Sequence, residues 1–102
     1  MEAKAWNNGQ HHASGAGYGI KFSREERDRG FLREWTRVQL EVPGQGTADV
    51  VLSDSFWRRC SELRSAAIGR WLRETGLAPW PKGRPTVIVE QLDGDTLRVA
   101  AP

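Results

Sequence analysis

Two segments of this chain alternate apolar and polar residues on both sides of a turn-forming stretch, and this pattern restricts the fold more than any other feature. In the first, Val38, Leu40 and Val42 alternate with Arg37, Gln39 and Glu41, Pro43-Gly44-Gln45-Gly46 follows, and Val50, Val51 and Leu52 resume within residues 48–53. In the second, Thr86 to Leu92 reads as a strand, Asp93-Gly94 turns the chain, and Thr96 to Ala100 returns. A period of two puts alternate side chains on opposite sheet faces, and a short Gly-bearing link joins antiparallel neighbours. Parallel neighbours need a crossover of about a dozen residues or more. Most connections here are shorter, so a curled and mostly antiparallel sheet is expected.

Helical signals are fewer. Tyr18, Ile20 and Phe22 share one face of a short strand, and Ser23 with Glu26 three positions on has capping-box spacing, which predicts a helix from Arg24 to about Phe31. Leu63, Ala67, Ile68, Trp71 and Leu72 fall on one helical stripe, with Ser61 as the expected N-cap and Gly76 as the residue that ends it. Residues 77–85 hold three prolines and a glycine, a structured loop by composition. Residues 1–17, rich in Gly, Asn, His, Ala and Ser, follow neither period and read as an irregular N-terminal arm. That leaves residues 18–102 as a single α+β domain with two helices. A chain of 102 residues, 38% of them hydrophobic, suits one core.

Function is narrowed by the way arginine and tryptophan interleave. The run from Trp57 to Pro85 holds three of the five tryptophans, six arginines and one lysine. A guanidinium can stack on an indole face and still donate hydrogen bonds from its edge, a pairing used in phosphate and base recognition. The net charge of +2 is small, but residues 53–85 carry seven basic side chains against Asp54, Glu62 and Glu74. A modest basic patch is expected. The competing reading is a solvated face of local ion pairs, Glu74 with Arg70 and Glu62 with Arg58 or Arg59.

The stretch IKFSREERD, residues 20–28, resembles the strand and Ser-capped helix near the start of the plant B-three-type transcription-factor domain. Residues 68–93, IGRWLRETGLAPWPKGRPTVIVEQLD, resemble its later helix, loop and strand. The N-terminal effector domains of some restriction enzymes share this open pseudobarrel. The resemblance implies seven strands and two loops that grip the DNA major groove. It places Lys21, Ser23, Arg24 and Arg27 on the first grip and Trp57, Arg58 and Arg59 in the region of the second, although SDSFWRRCS, residues 53–61, reads poorly as strands. Arg64, Arg70, Arg73 and Arg84 are further candidates for phosphate contact. The expected partner is nucleic acid, duplex DNA before RNA, because Arg reads guanine bidentately and Ser reaches phosphate or base.

A second function class stays open. Trp6, Asn7, Asn8, His11 and His12 put amides and imidazoles beside an indole, and with Tyr18 and Trp80 they are candidates for a small-ligand pocket or a protein-partner site. No catalytic residue, metal or cofactor is expected. Adjacent His11 and His12 rarely aim at one ion, no HExxH or CxxC accompanies them, and the Gly15-Ala16-Gly17-Tyr18-Gly19 segment precedes a strand, the wrong context for a dinucleotide loop. The single Cys60 allows no intrachain disulfide, the first ten residues lack an apolar signal region, and no apolar run approaches the ~20 residues that span a bilayer. A reducing cytoplasm without membrane attachment is the expected setting.

Overall fold

A computed structural model describes residues 1–81 and 83–102. Lys82, one of the seven basic side chains counted above, lies outside the described residues. The elements run β1 (Glu2–Asn7), β2 (Tyr18–Lys21), α1 (Arg24–Gly30), β3 (Arg37–Val42), β4 (Gly46–Val51), α2 (Asp54–Arg58), β5 (Glu62–Arg64), α3 (Ala66–Glu74), β6 (Thr86–Asp93) and β7 (Thr96–Ala100). The strands form one seven-stranded sheet in the order β4-β3-β7-β6-β1-β2-β5. Every neighbouring pair is antiparallel except β3 and β7, which are parallel. The sheet curls into a nearly closed barrel, the α+β architecture expected from the alternating segments.

Both hairpins form where the alternation placed them. β3 and β4 pair from Arg37↔Val51 to Val42↔Gly46, with Val38, Leu40 and Val42 buried. β6 and β7 pair from Ile88↔Ala100 to Asp93↔Thr96, with an irregularity between Gln91 and Asp93. Val87, Val89, Leu97 and Val99 line the inside and are fully buried. The helix α3 closes the barrel from one side with Ala67, Ile68, Trp71 and Leu72, and Gly76 takes the left-handed turn after it at φ +78°.

Two local expectations are corrected. Residues 1–17 are not wholly an irregular arm: Glu2–Asn7 is a strand in the body of the sheet, paired to β6 on one side and β2 on the other. The domain therefore begins before residue 18. Ala3 and Ala5 supply its buried face, where small side chains suffice, so the segment lacks the β-branched residues that mark most strands. The N-cap of α3 is Ser65, whose hydroxyl accepts from the Ala67 amide at 3.2 Å, and not Ser61. Leu63 belongs to β5, a three-residue strand against β2, which separates it from the helix that its spacing mimicked.

Candidate nucleic-acid interface

The site is built where the end of β2 enters α1 and where α2 leads back into β5. Ser23 caps α1, its hydroxyl accepting from the Glu26 amide at 3.1 Å. The Glu26 side chain does not complete the box; it accepts from the Glu2 amide at 2.9 Å and so ties α1 to β1. α2 is a single short turn held by one buried anchor, Phe56. Phe56 packs against Phe31 at 5.0 Å and Trp57 at 5.1 Å between ring centroids, and Phe31 meets Phe22 at 5.0 Å. This aromatic floor fixes both segments against each other, since edge-to-face ring pairs add to plain burial.

Arg27 locks the two segments further. It is 6% exposed. Its NH1 donates to the Trp57 carbonyl at 2.8 Å and to the Ser61 hydroxyl at 3.4 Å, and its Nε donates to Asp28 Oδ1 at 2.9 Å. The Ser61 hydroxyl in turn donates to the Phe56 carbonyl at 3.0 Å. Asp28 also accepts from Arg33 at 3.4 Å, and Arg33 lies over the Trp57 indole at 4.7 Å from its centroid. The Arg27 hydrogen bond, reinforced by the Arg27, Arg33 and Arg24 charges, holds the Asp28 carboxyl below the ordinary carboxylate range.

Above this floor lies a cleft of about 460 Å³. All seven residues that the pseudobarrel resemblance assigned to the two grips border it: Lys21, Ser23, Arg24 and Arg27 from one segment, Trp57, Arg58 and Arg59 from the other. Arg27 is a framework residue, buried and hydrogen-bonded, so it does not stand free to meet a ligand. Trp57 is half-buried with Arg33 on its ring. Lys21, Arg24, Arg58 and Arg59 remain. Among the described residues, none of these four has an ion-pair or hydrogen-bond partner for its side chain. The carboxylate expected to neutralise Arg58 or Arg59 is engaged elsewhere: Glu62 accepts from Arg64 at 2.7 and 3.0 Å.

Other arginines of the patch have different work. Arg70 and Arg73 do not border the cleft; they sit on α3 and hold the β1–β2 connection. Arg70 donates to the Ser14 carbonyl at 3.2 Å and to Gln45 Oε1 at 2.8 Å, and Arg73 donates to the His11 carbonyl at 3.4 Å. The expected Arg70–Glu74 pair is replaced by Gln45, which bridges the two. Arg84 is exposed on the loop before β6 and does not border the cleft. Asp28 and Arg33 are cleft residues that the sequence reading missed. The four-residue spacing from Arg24 to Asp28 on a capped helix was a usable signal for the first.

The residues of the alternative pocket divide. His11, Tyr18 and Trp80 form an edge-to-face trio with centroids 5.1 to 5.8 Å apart, and His11 Nδ1 lies 2.6 Å from the Tyr18 hydroxyl. Tyr18 is buried, Trp80 is partly buried against the core, and His11 is exposed, so the trio is packed side-chain structure. Asn7 shapes the turn after β1, accepting from the Gly9 amide and donating to the Gln10 carbonyl, while His12 meets the Gln10 side chain. Trp6, Asn8 and Tyr18 border one cavity, which Trp80 does not reach.

Among the described residues no group of three or more His, Cys, Asp or Glu side chains is placed to hold a metal, and no helix is long and apolar enough to cross a membrane. No family model, curated protein or solved structure matches the chain.

Proposed function

We propose that this protein is a nucleic-acid-binding module for duplex DNA, with the cleft between β2–α1 and α2–β5 as its phosphate-contacting surface. One observation carries the reading: Lys21, Arg24, Arg58 and Arg59, four cations whose side chains have no ion-pair or hydrogen-bond partner among the described residues, border one concave surface. Asp28, which borders the same cleft, is already engaged by Arg27 and Arg33, so the four cations leave a local excess of positive charge, and a concave surface with such an excess focuses its field on an approaching polyanion. A cavity of this size takes a small group, not a duplex. The duplex would therefore lie across the mouth with a backbone segment against the cations.

The B-three-type resemblance supports the same reading. That resemblance implies seven strands and two gripping segments; the sheet has seven strands, and the cleft is bordered by the residues carried over from it. The Ser23 hydroxyl is occupied at the α1 cap, which leaves the four cations as the principal contacts.

Titration of a blunt duplex at several salt concentrations tests the proposal. Four phosphate contacts give a log–log salt slope of about −3.6, or roughly a hundredfold loss of affinity between 50 and 200 mM salt. Affinity indifferent to salt, or no binding at low salt, refutes it.

A further inference from the structure

Strand register carries the outer face of the sheet away from the cleft toward an indole. Ile20 and Phe22 are buried, so Lys21 and Gly19 face outward on β2. Across the strands Lys4, Lys21 and Glu62 form one row, and Trp6, Gly19 and Arg64 form the next. Two residues along a strand advance about 7 Å. One step from Lys21, a cleft residue, therefore reaches the Trp6–Arg64 row.

In that row the Arg64 guanidinium lies over the Trp6 ring, 4.5 Å from its centroid. Glu62, whose side chain is only 6% exposed, takes two hydrogen bonds from Arg64 and fixes its plane. Arg64 itself remains 66% exposed. With the indole beneath its central carbon and the carboxylate on its Nε and NH2 side, the NH1 group has no hydrogen-bond partner among the described residues. Gly19 lies beneath this stack, where an added Cβ would meet the Leu63 carbonyl oxygen at 2.5 Å. A cavity of about 340 Å³ opens beside the pair, bordered also by Asn8. The Asn8 side-chain oxygen Oδ1 accepts from the Gln10 amide. Nucleic-acid bases stack on aromatic rings and on guanidinium planes alike, and an amide beside the stack can meet a base edge.

We infer that the Trp6–Arg64 pair is a stacking subsite for one unpaired nucleotide, contiguous with the cleft, so that the preferred ligand is a duplex ending in a single-stranded overhang. The inference rests on the duplex-binding reading of the cleft. The incoming base extends the indole–guanidinium stack by one layer, and its phosphate runs back along the outer face toward Lys4 and Lys21.

The experiment compares a blunt duplex with the same duplex carrying a four-nucleotide overhang at its 5′ or 3′ ends, and with adenosine monophosphate alone. The expected result is that one overhang polarity binds about five- to a hundredfold tighter than the blunt duplex, the range for one stacked base. Trp6→Leu keeps apolar cover over Gly19 and removes the gain while blunt-duplex affinity stays as it was. Arg64→Lys keeps a cation for the nearly buried Glu62 but lacks the guanidinium plane, so it also removes the gain and guards against a folding defect in the first variant. Equal affinity for blunt and overhanging duplexes overturns the subsite and leaves the cleft reading intact. So does an overhang gain that survives both substitutions. Adenosine monophosphate that binds alone as tightly as the overhang gain implies would make the subsite a free-nucleotide site and overturn the strand assignment. Failure of every duplex to bind at low salt overturns the cleft reading itself.

Discussion

The arginines of the cleft and the arginines of α3 are the same residue type in equally basic sequence, yet the fold uses them in opposite ways. Arg70 and Arg73 donate to backbone carbonyls of the β1–β2 connection, at Ser14 and His11. Arg24, Arg58 and Arg59 meet no acceptor among the described residues and border one cavity. The difference lies in what the neighbouring backbone offers. A long connection folded over α3 presents unpaired carbonyls that need donors. In the cleft, the available acceptors of Trp57 and Ser61 are already taken by Arg27. Buried Arg27 satisfies the framework, and the side chains of Lys21, Arg24, Arg58 and Arg59 around it have no partner among the described residues.

The strongest way to break this comparison is Arg27→Ala. The substitution strands the Trp57 carbonyl and the Ser61 hydroxyl and removes the tie between α1 and α2. A loss of about 2–3 kcal/mol in denaturant unfolding is expected. Arg27→Lys should recover little of it, because an ammonium cannot reproduce the forked geometry. A loss below half a kcal/mol would mean that Arg27 is not the framework member. Next in size, Arg58→Ala with Arg59→Ala should leave stability within about 0.5 kcal/mol, as for other exposed side chains. The same pair should reduce the magnitude of the salt slope for duplex binding by about 2. An unchanged slope would show that the free cations are not phosphate contacts.

How far the sequence disclosed this division depends on which physical signal each part emits. The β3–β4 and β6–β7 hairpins are legible because burial on one face forces a period of two, and Val38, Leu40, Val87 and Val89 obey it. α1 is legible from Ser23 and its cap spacing. β1 is not, because Ala3 and Ala5 satisfy a tight interior without the bulk that flags a strand. Spacing gave no sign that Lys21, Arg24, Arg58 and Arg59 would gather, since the two segments lie some thirty residues apart in sequence; only the resemblance had grouped them. The sorting of arginines into framework and free was illegible. It turns on which carbonyls lack donors after folding, a tertiary property with no local pattern. Glu62 illustrates the point: sequence neighbours suggested Arg58 or Arg59, but strand geometry puts Arg64 on its face of β5.

A smaller effect sharpens the α3 side of the comparison. Arg70→Ala combined with Arg73→Ala removes donors to solvent-accessible carbonyls, which water can partly replace. About 1 kcal/mol of stability should go, and hydrogen exchange should quicken in residues 8–17, with duplex affinity nearly unchanged. If affinity falls as far as in the Arg58 and Arg59 variant, the two groups share one binding surface and the division fails.

The smallest effect concerns Asp28, the one carboxylate among the residues bordering the cleft. Its folded pKa is lowered, chiefly by the Arg27 hydrogen bond and then by the Arg27, Arg33 and Arg24 charges. A lowered carboxylate pKa means that the ionised form is favoured by folding. The resulting stability is fully present above the ordinary Asp range and is lost as pH falls through the folded value. Asp28→Asn should therefore be slightly less stable than the parent at neutral pH, and the two unfolding curves should converge in acid. Because the side chain is 45% exposed, solvent screening keeps the effect small. The same substitution deletes the one carboxylate among the described residues that border the cleft, so, on the duplex-binding proposal, duplex affinity at low salt should rise while stability falls. A variant in which both fall together would mean that Asp28 acts on binding through the position of Arg27, and the framework and the free cations would then be one coupled unit.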